Sequence, residues 1–250
     1  MSHETIVRRS TSEFPLSTVA GAAKRLPIFG GKFDPAASWK KTWSQVALAS
    51  GVQQTGTVTI TRRVQAAGGA VLEVVFDKNH VGGTMHLEGR IVLPPHRPGE
   101  FVVPRSWSFQ RVVIDGENRP IDDTALRKRA TVEQDGIRFR DDHGTTTLPV
   151  KGLFTLNWSL FDLVTRLPGA ETPVTEFTLI DHFDQRKPHH RLCYRETIDT
   201  TLDAGDTRFV CYDQLGFGVV PTTYFVDPQG RLILALTGLE GYILQSAENL

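Results

Sequence analysis

The sequence predicts a mainly β fold, a single curved antiparallel sheet or half-barrel of about a dozen strands enclosing one buried helix. Three observations carry this. From Gly56 onward, apolar and polar residues alternate in short runs, the period-2 signature of strands with one face buried. Glycine and proline, 22 and 14 in 250 residues, punctuate those runs as turns. One stretch, Leu153 to Pro168, instead repeats at helical spacing and is the most apolar run in the chain.

Residues 1–33 have no clear period and are rich in Ser, Thr and Gly, so an extended, partly mobile arm is expected, followed by one β-rich domain over 34–250. Asp34-Pro35 reads as an N-cap with proline at the first helical position. With Trp39, Trp43, Val46 and Ala47 on one face, it predicts a short helix over about 35–49. GTVTITRRV, AVLEVVFDK and TMHLEGRIVL then predict three consecutive strands separated by the glycine pairs 68–69 and 82–83. SWSFQRVVI at 106–114 is the next strand. ENRPIDDTALRKR is expected as a surface loop with one helical turn or a short strand, its Arg127, Lys128 and Arg129 forming a solvated face. ATVEQ, IRFRDD and TTTLPV make short strands that lead into the helix.

In that helix, expected over about 156–167, Leu153, Leu156, Leu160, Leu163, Val164 and Leu167 share a side with Phe154, Trp158 and Phe161 adjoining. The apolar arc is roughly 220°, against the roughly 100° a surface helix needs, so the sheet must cover most of it. Thr155, Ser159, Asp162 and Arg166 form the polar stripe, and Pro168-Gly169 stops the helix. Asn157 has two readings: an N-cap, or a buried amide that needs partners and belongs to a site. Six further strand-like runs follow: EFTLIDHF, RLCYRETID, TRFVCYDQL, PTTYFVD, RLILALT and GYILQ. Asp227-Pro228-Gln229-Gly230 suits a type I turn and predicts a hairpin over 219–237.

Lysine plus arginine and aspartate plus glutamate each number 28, a balance that argues against duplex nucleic-acid binding. Cys193 and Cys211 match no zinc or redox spacing; on neighbouring strands they are either a cross-strand disulfide or two separate buried thiols. No apolar run is long enough to span a bilayer. Arg8-Arg9 before a weakly apolar segment is interrupted by Ser12 and Glu13, so the expectation is a cytoplasmic chain, or a periplasmic one whose export signal lies outside this sequence.

The densest ionisable cluster is Asp181 to Arg191. On one strand face His182 and Asp184 point together, and a turn near Lys187-Pro188 brings His189 or His190 opposite them. Two histidines and a carboxylate suit proton transfer or a divalent metal, but the spacing matches no established metal motif and none is assigned; a solvated hairpin tip is the plainer account. His80, Met85 and His86 around the 82–83 turn form a second, weaker set. Trp107, Asn157, Trp158, Phe161, Tyr194, Tyr212 and Tyr224 are candidate pocket-lining residues or core. Nucleotide-binding and serine-hydrolase motifs are absent from the sequence, and no cofactor is implied.

The closing run Gly216-Phe217-Gly218-Val219-Val220-Pro221, with Tyr224-Phe225-Val226-Asp227 and Gly230-Arg231-Leu232, resembles the C-terminal hairpin of periplasmic proteins of unknown function. These share the half-barrel of the bacterial lipoprotein-localisation carriers. In element order the resemblance spans residues 56 to 245. It implies a hollow that holds acyl chains or, in some relatives, supports cofactor-free chemistry. The expected function is binding of a small apolar or amphiphilic molecule on the concave face of the sheet. The alternative is a cofactor-independent lyase, isomerase or cyclase using His182, Asp184, His189 or His190.

Overall fold

Alternation becomes one continuous sheet because each run pairs with the next through a short turn. The structure, a computed structural model, describes residues 25–47, 53–80, 82–97, 99–117, 119–216, 220–238 and 240–250. The first half supplies β1 (Trp39–Ala47), β2 (Gln53–Val64), β3 (Ala70–His80), β4 (Gly83–Leu93), β5 (Ser106–Ile114), β6 (Leu126–Glu133), β7 (Gly136–Asp141), β8 (Gly144–Leu148) and β9 (Phe154–Leu156). Helix α1 (Asn157–Leu163) follows, then β10 (Thr175–Asp181), β11 (Gln185–Leu202), β12 (Gly205–Gly216), β13 (Thr222–Val226), β14 (Leu232–Thr237) and β15 (Glu240–Asn249). The fifteen strands lie in the order β8-β7-β6-β5-β4-β3-β2-β1-β15-β14-β13-β12-β11-β10-β9, more strands than the sequence suggested but the same curved antiparallel architecture. Strands consecutive in sequence are neighbours throughout, except β8 and β9. β1 and β15 join the two halves in the middle of the sheet, and β8 and β9 are its two edges.

The short helix expected over 35–49 is not formed: Trp39–Ala47 is β1, paired with both β2 and β15. Trp39 and Trp43, four apart, satisfy a helical and a strand period alike. The buried residues on the same face, Lys41 between them and Gln45 just after, are polar and hid the alternation that the pairing imposes. Of the expected N-terminal arm, residues 1–24 lie outside the described residues. Leu26 and Phe33 are buried in the core, and Arg231 donates to the carbonyls of Phe29, Gly30 and Gly31.

The helix begins within one residue of the expected start and is shorter than expected. Phe154–Leu156 is extended and pairs in parallel with β10, the one parallel pairing in the sheet, and Leu153 is exposed. After Leu163 a 3₁₀ turn at Val164–Arg166 completes the element. Trp158, Leu160, Phe161, Leu163 and Val164 are all buried, each contributing about 1.5–3 kcal/mol by area removed from water. Trp158 packs on Phe76 of β3 with ring centroids 5.2 Å apart, and Phe161 meets Trp43 of β1 edge-on at 5.2 Å. The polar stripe is buried as well. Asp162 is held by Arg62 Nε at 3.1 Å and by Arg166 Nη2 at 2.5 Å. Lys41 Nζ sits beside them, 4.2 Å from the Trp39 ring centre and 4.6 Å from that of Phe33. From Trp158 to Leu163 the helix is therefore buried on all its faces.

The hairpin expected over 219–237 is present as β13–β14, although residues 217–219 lie outside the described residues. Asp227 Oδ1 accepts from the backbone N–H groups of Gln229 and Arg231, and Gly230 takes the positive φ the turn requires. Cys193 and Cys211 are free thiols. Cys193 lies opposite Asp213 and Cys211 opposite Glu196, because a bulge near Arg195 shifts the register.

Candidate functional site

The turn between β10 and β11 falls at His182–Asp184, not at Lys187-Pro188, and this decides where the ionisable cluster goes. Pro188 is accommodated within β11 because that strand pairs with β12 only from His190 onward. His182 and Phe183 have φ of 46° and 72°, so the expected strand alternation of His182 and Asp184 does not exist. Phe183 turns inward and is fully buried. It stacks on Phe109 at 5.2 Å, accepts a 2.8 Å bond from Trp107 Nε1 at its carbonyl, and lies where a side chain on Gly89 would have to be. Asp184 pairs with Lys128 at 2.9 Å, which takes that lysine out of the expected solvated face. The hairpin tip thus crosses the hollow and clamps onto β4, β5 and β6.

Behind that tip lies a cavity of about 390 Å³ between the start of α1 and strands β10 to β15. Its apolar floor is Trp158, Phe161, Leu179 and Ala235. The polar side comes from inward positions of successive strands: Asp181, Lys187, His190, Gln214, Tyr224, Glu240 and Tyr242, with His182 at the tip and Asn157 on the helix.

A hydrogen-bond relay crosses three adjacent strands. Tyr224 Oη donates to Gln214 Oε1 at 2.6 Å, and Gln214 Nε2 meets His190 Nδ1 at 3.0 Å. The short distance suits an O–H donor to oxygen and the longer one an N–H donor to nitrogen, so the amide is oriented with its nitrogen toward the histidine. His190 Nδ1 is then an acceptor, and the ring proton is on Nε2. Burial and the neighbouring Lys187 ammonium hold the His190 pKa below its ordinary value, against the opposing Asp181 carboxylate. Its ring is neutral at neutral pH. Burial pushes the Tyr224 and Tyr242 hydroxyls up, reinforced by Asp181 at both, so both stay protonated.

The charges lining the cavity are already paired. Lys187 Nζ lies 2.5 Å from Asp181 Oδ2. Glu240 is 3.3 Å from Lys78 Nζ and accepts from Gln45 Nε2 at 3.0 Å. Uncharged groups are what is left over: His190 Nε2, Asn157 Oδ1 and Trp158 Nε1 are buried and have no hydrogen-bond partner among the described residues.

Of the residues the sequence singled out, Asn157, Trp158, Phe161, His182, His190 and Tyr224 come together here. Asn157 is the first helical residue, not the N-cap; Leu156 holds that position and makes no side-chain cap. The other candidates lie elsewhere. Tyr212 Oη donates to Leu167 O and accepts from Gly169 N, both at 3.0 Å, stapling the exit of the helix. Tyr194 is half-buried with its hydroxyl on Thr197, and Trp107 is core. His189 lies on a separate depression with Lys151 and Arg186. His86 is bonded to Asp77 at 2.6 Å on the outer side of the β3–β4 hairpin, and the side chain of His80 lies outside the described residues. The sequence reading passed over Gln214, Glu240 and Tyr242, and took Lys187 only as part of the ionisable cluster and its turn. For Gln214 the available signal was a polar residue on the inward phase of an apolar strand.

Fold and site together define a β-barrel-like protein with, among the described residues, one internal α-helix and a cavity lined by both apolar and polar side chains. A β-barrel-like protein of domain of unknown function DUF1849 from Brucella abortus shares the fold. It superposes with a TM-score of 0.54 at 11% identity, covering 86% of this chain and 98% of that one. A DUF1089 family protein from Pseudomonas aeruginosa is more distant, with a TM-score of 0.40 at 16% identity over 84% of this chain and 95% of its own. No protein-family model matches the sequence, and no curated protein matches it significantly. No described helix is long and apolar enough to cross a membrane.

Proposed function

We propose that the protein binds a small amphiphilic molecule in the cavity beside α1. The observation that supports this is the mixed lining of the cavity: Trp158, Phe161, Leu179 and Ala235 offer apolar surface, and polar side chains from β10 to β15 stand beside them. About 390 Å³ lies in the range of small-molecule sites. The acyl-chain hollow implied by the sequence resemblance is the same kind of site.

Nile red, an uncharged dye whose fluorescence rises in apolar surroundings, tests this directly. Wild-type protein brightens the dye at micromolar concentration, and Ala235→Phe, which fills the cavity from β14, removes that signal while the circular dichroism spectrum is retained. Dye binding that is absent from the wild type, or unchanged in the filled variant, overturns the proposal.

A second reading, cofactor-free acid–base chemistry of a lyase, isomerase or cyclase, is favoured by the Tyr224–Gln214–His190 relay. In that reading His190 exchanges the proton, with His182 at the rim, and turnover falls as pH drops through the lowered His190 pKa. Asp184 and His189 face other surroundings and would take no direct part.

A further inference from the structure

The two edges of the sheet are finished differently. At β9 the edge is covered: all three residues are buried, and Thr155 Oγ1 donates at 3.3 Å to the Val102 carbonyl in the β4–β5 connection. β8 pairs only with β7 among the described residues, and Gly144, Thr145, Thr146 and Thr147 are all exposed. An open edge leaves backbone N–H and C=O groups without a ladder partner, a template for one more strand. The devices that usually block such pairing, a lysine, a proline or a bulge, are absent from β8. Its three threonines are β-branched and suit an extended backbone.

Behind this edge lies positive charge that the protein does not neutralise. Arg138 and Arg140 of β7 alternate with the buried Ile137 and Phe139, so they are exposed on the outer face, opposite Thr147 and Thr145 of β8. Arg140 stands directly opposite Arg129 of β6, and neither has a hydrogen bond or ion pair with any described residue. Like charges placed opposite each other weaken a strand pair. Arg138 is paired with Glu133 at 2.7 Å, both at the surface. We propose that β8 accepts an acidic extended segment of a partner protein as an added strand. Alternate side chains of that strand fall on the outer face, two strand spacings or roughly 10 Å from Arg138 and Arg140. Only Thr145 and Thr147 lie between, short enough for a glutamate and an arginine to meet across them. Backbone hydrogen bonds supply the affinity, and the arginines the preference for acid. The site shares no residue with the cavity beside α1 and does not depend on it.

Three dansyl-labelled octapeptides test this by fluorescence anisotropy at pH 7.5. One alternates Glu and Thr, one alternates Lys and Thr, and the third is the Glu-Thr peptide with proline in place of two threonines. The Glu-Thr peptide is expected to bind at least about tenfold more tightly than either of the others, since proline keeps the charge and removes the strand. Arg138→Glu with Arg140→Glu reverses the preference toward the Lys-Thr peptide, with an unchanged circular dichroism spectrum. Both positions are exposed, and the three peptides also decide the matter on the wild type alone. An acidic peptide that binds no better than its proline form reports charge alone and overturns the inference. So does a preference for acid that survives the double substitution, or an acidic peptide that does not bind. Sedimentation velocity is expected to show no self-association through this edge; a wild-type dimer that the Glu-Thr peptide dissociates would assign β8 to a second copy of the chain and overturn the proposal.

Discussion

The two ends of the buried helix solve the same problem in opposite ways. At its C-terminal end Asp162 is enclosed by Arg62 and Arg166, with Lys41, Asp227 and Arg231 close by. The Asp162 carboxylate and the two guanidinium groups there are buried and paired, while Lys41 Nζ has no hydrogen-bond partner among the described residues. At its N-terminal end Asn157 and Trp158 face a cavity in which the charges are paired across the wall and neutral groups lack partners. Both ends contain buried polarity, which is costly unless satisfied. At one end ion pairs offset part of that cost; at the other the polar groups stand beside empty volume. The difference teaches that burial of polar residues alone does not mark a site. What marks it is burial beside empty volume.

The comparison breaks most sharply at Asp162. Asp162→Ala leaves two guanidinium groups buried without their counter-charge and should cost about 3–5 kcal/mol, read as a lower denaturation midpoint in urea. If that variant unfolds near the wild-type midpoint, the cluster is not the buried, paired unit described above.

Lys41 is the next test. Burial pulls its pKa down from 10.5 to about 7; Asp162 and Asp227 oppose this, and Arg231 and Arg166 add to it. Between about 7 and 10.5 the unfolded chain holds a proton there that the folded chain does not, so stability from this group rises with pH across that window. Below about 7 both states are protonated and the full burial cost applies. Lys41→Met should therefore stabilise the protein by about 1–4 kcal/mol at pH 6, and less as the pH approaches 10. Unfolding curves at pH 6, 8 and 10 check it, and a constant difference between the two proteins would contradict the assignment.

The smallest effect belongs to the cavity. Asn157→Leu removes a buried acceptor that has no partner, so stability, read as the urea midpoint, should hold or rise by about 1 kcal/mol. A loss of stability instead would mean that Asn157 serves the fold and not a ligand. Deleting polarity is thus expected to have opposite signs at Asp162 and Asn157.

Legibility in the sequence followed the range of the interactions. The β2–β3–β4 meander, β5 and the β13–β14 turn rest on alternation and turn residues a few positions apart, and they were readable. β1 was not, because the strands that pair with it lie far away in sequence on one side, and its inward Lys41 and Gln45 broke the pattern. The ionisable cluster was readable as a set of residue types but not as a geometry. Positive φ at His182 and Phe183 rotated the hairpin tip, so Asp184 and His190, six positions apart, serve different surroundings.

By itself the sequence determined that this chain is a curved, mainly antiparallel sheet around one apolar helix, since period and turn chemistry are local properties of the backbone. Only the tertiary structure decided that the helix's polar stripe is buried against Arg62, that β1 bridges the two halves of the sheet, and that a cavity survives beside Asn157. Those outcomes depend on which side chains from distant strands fill the volume around the helix, and volume is a property of the assembled fold, not of any segment of it.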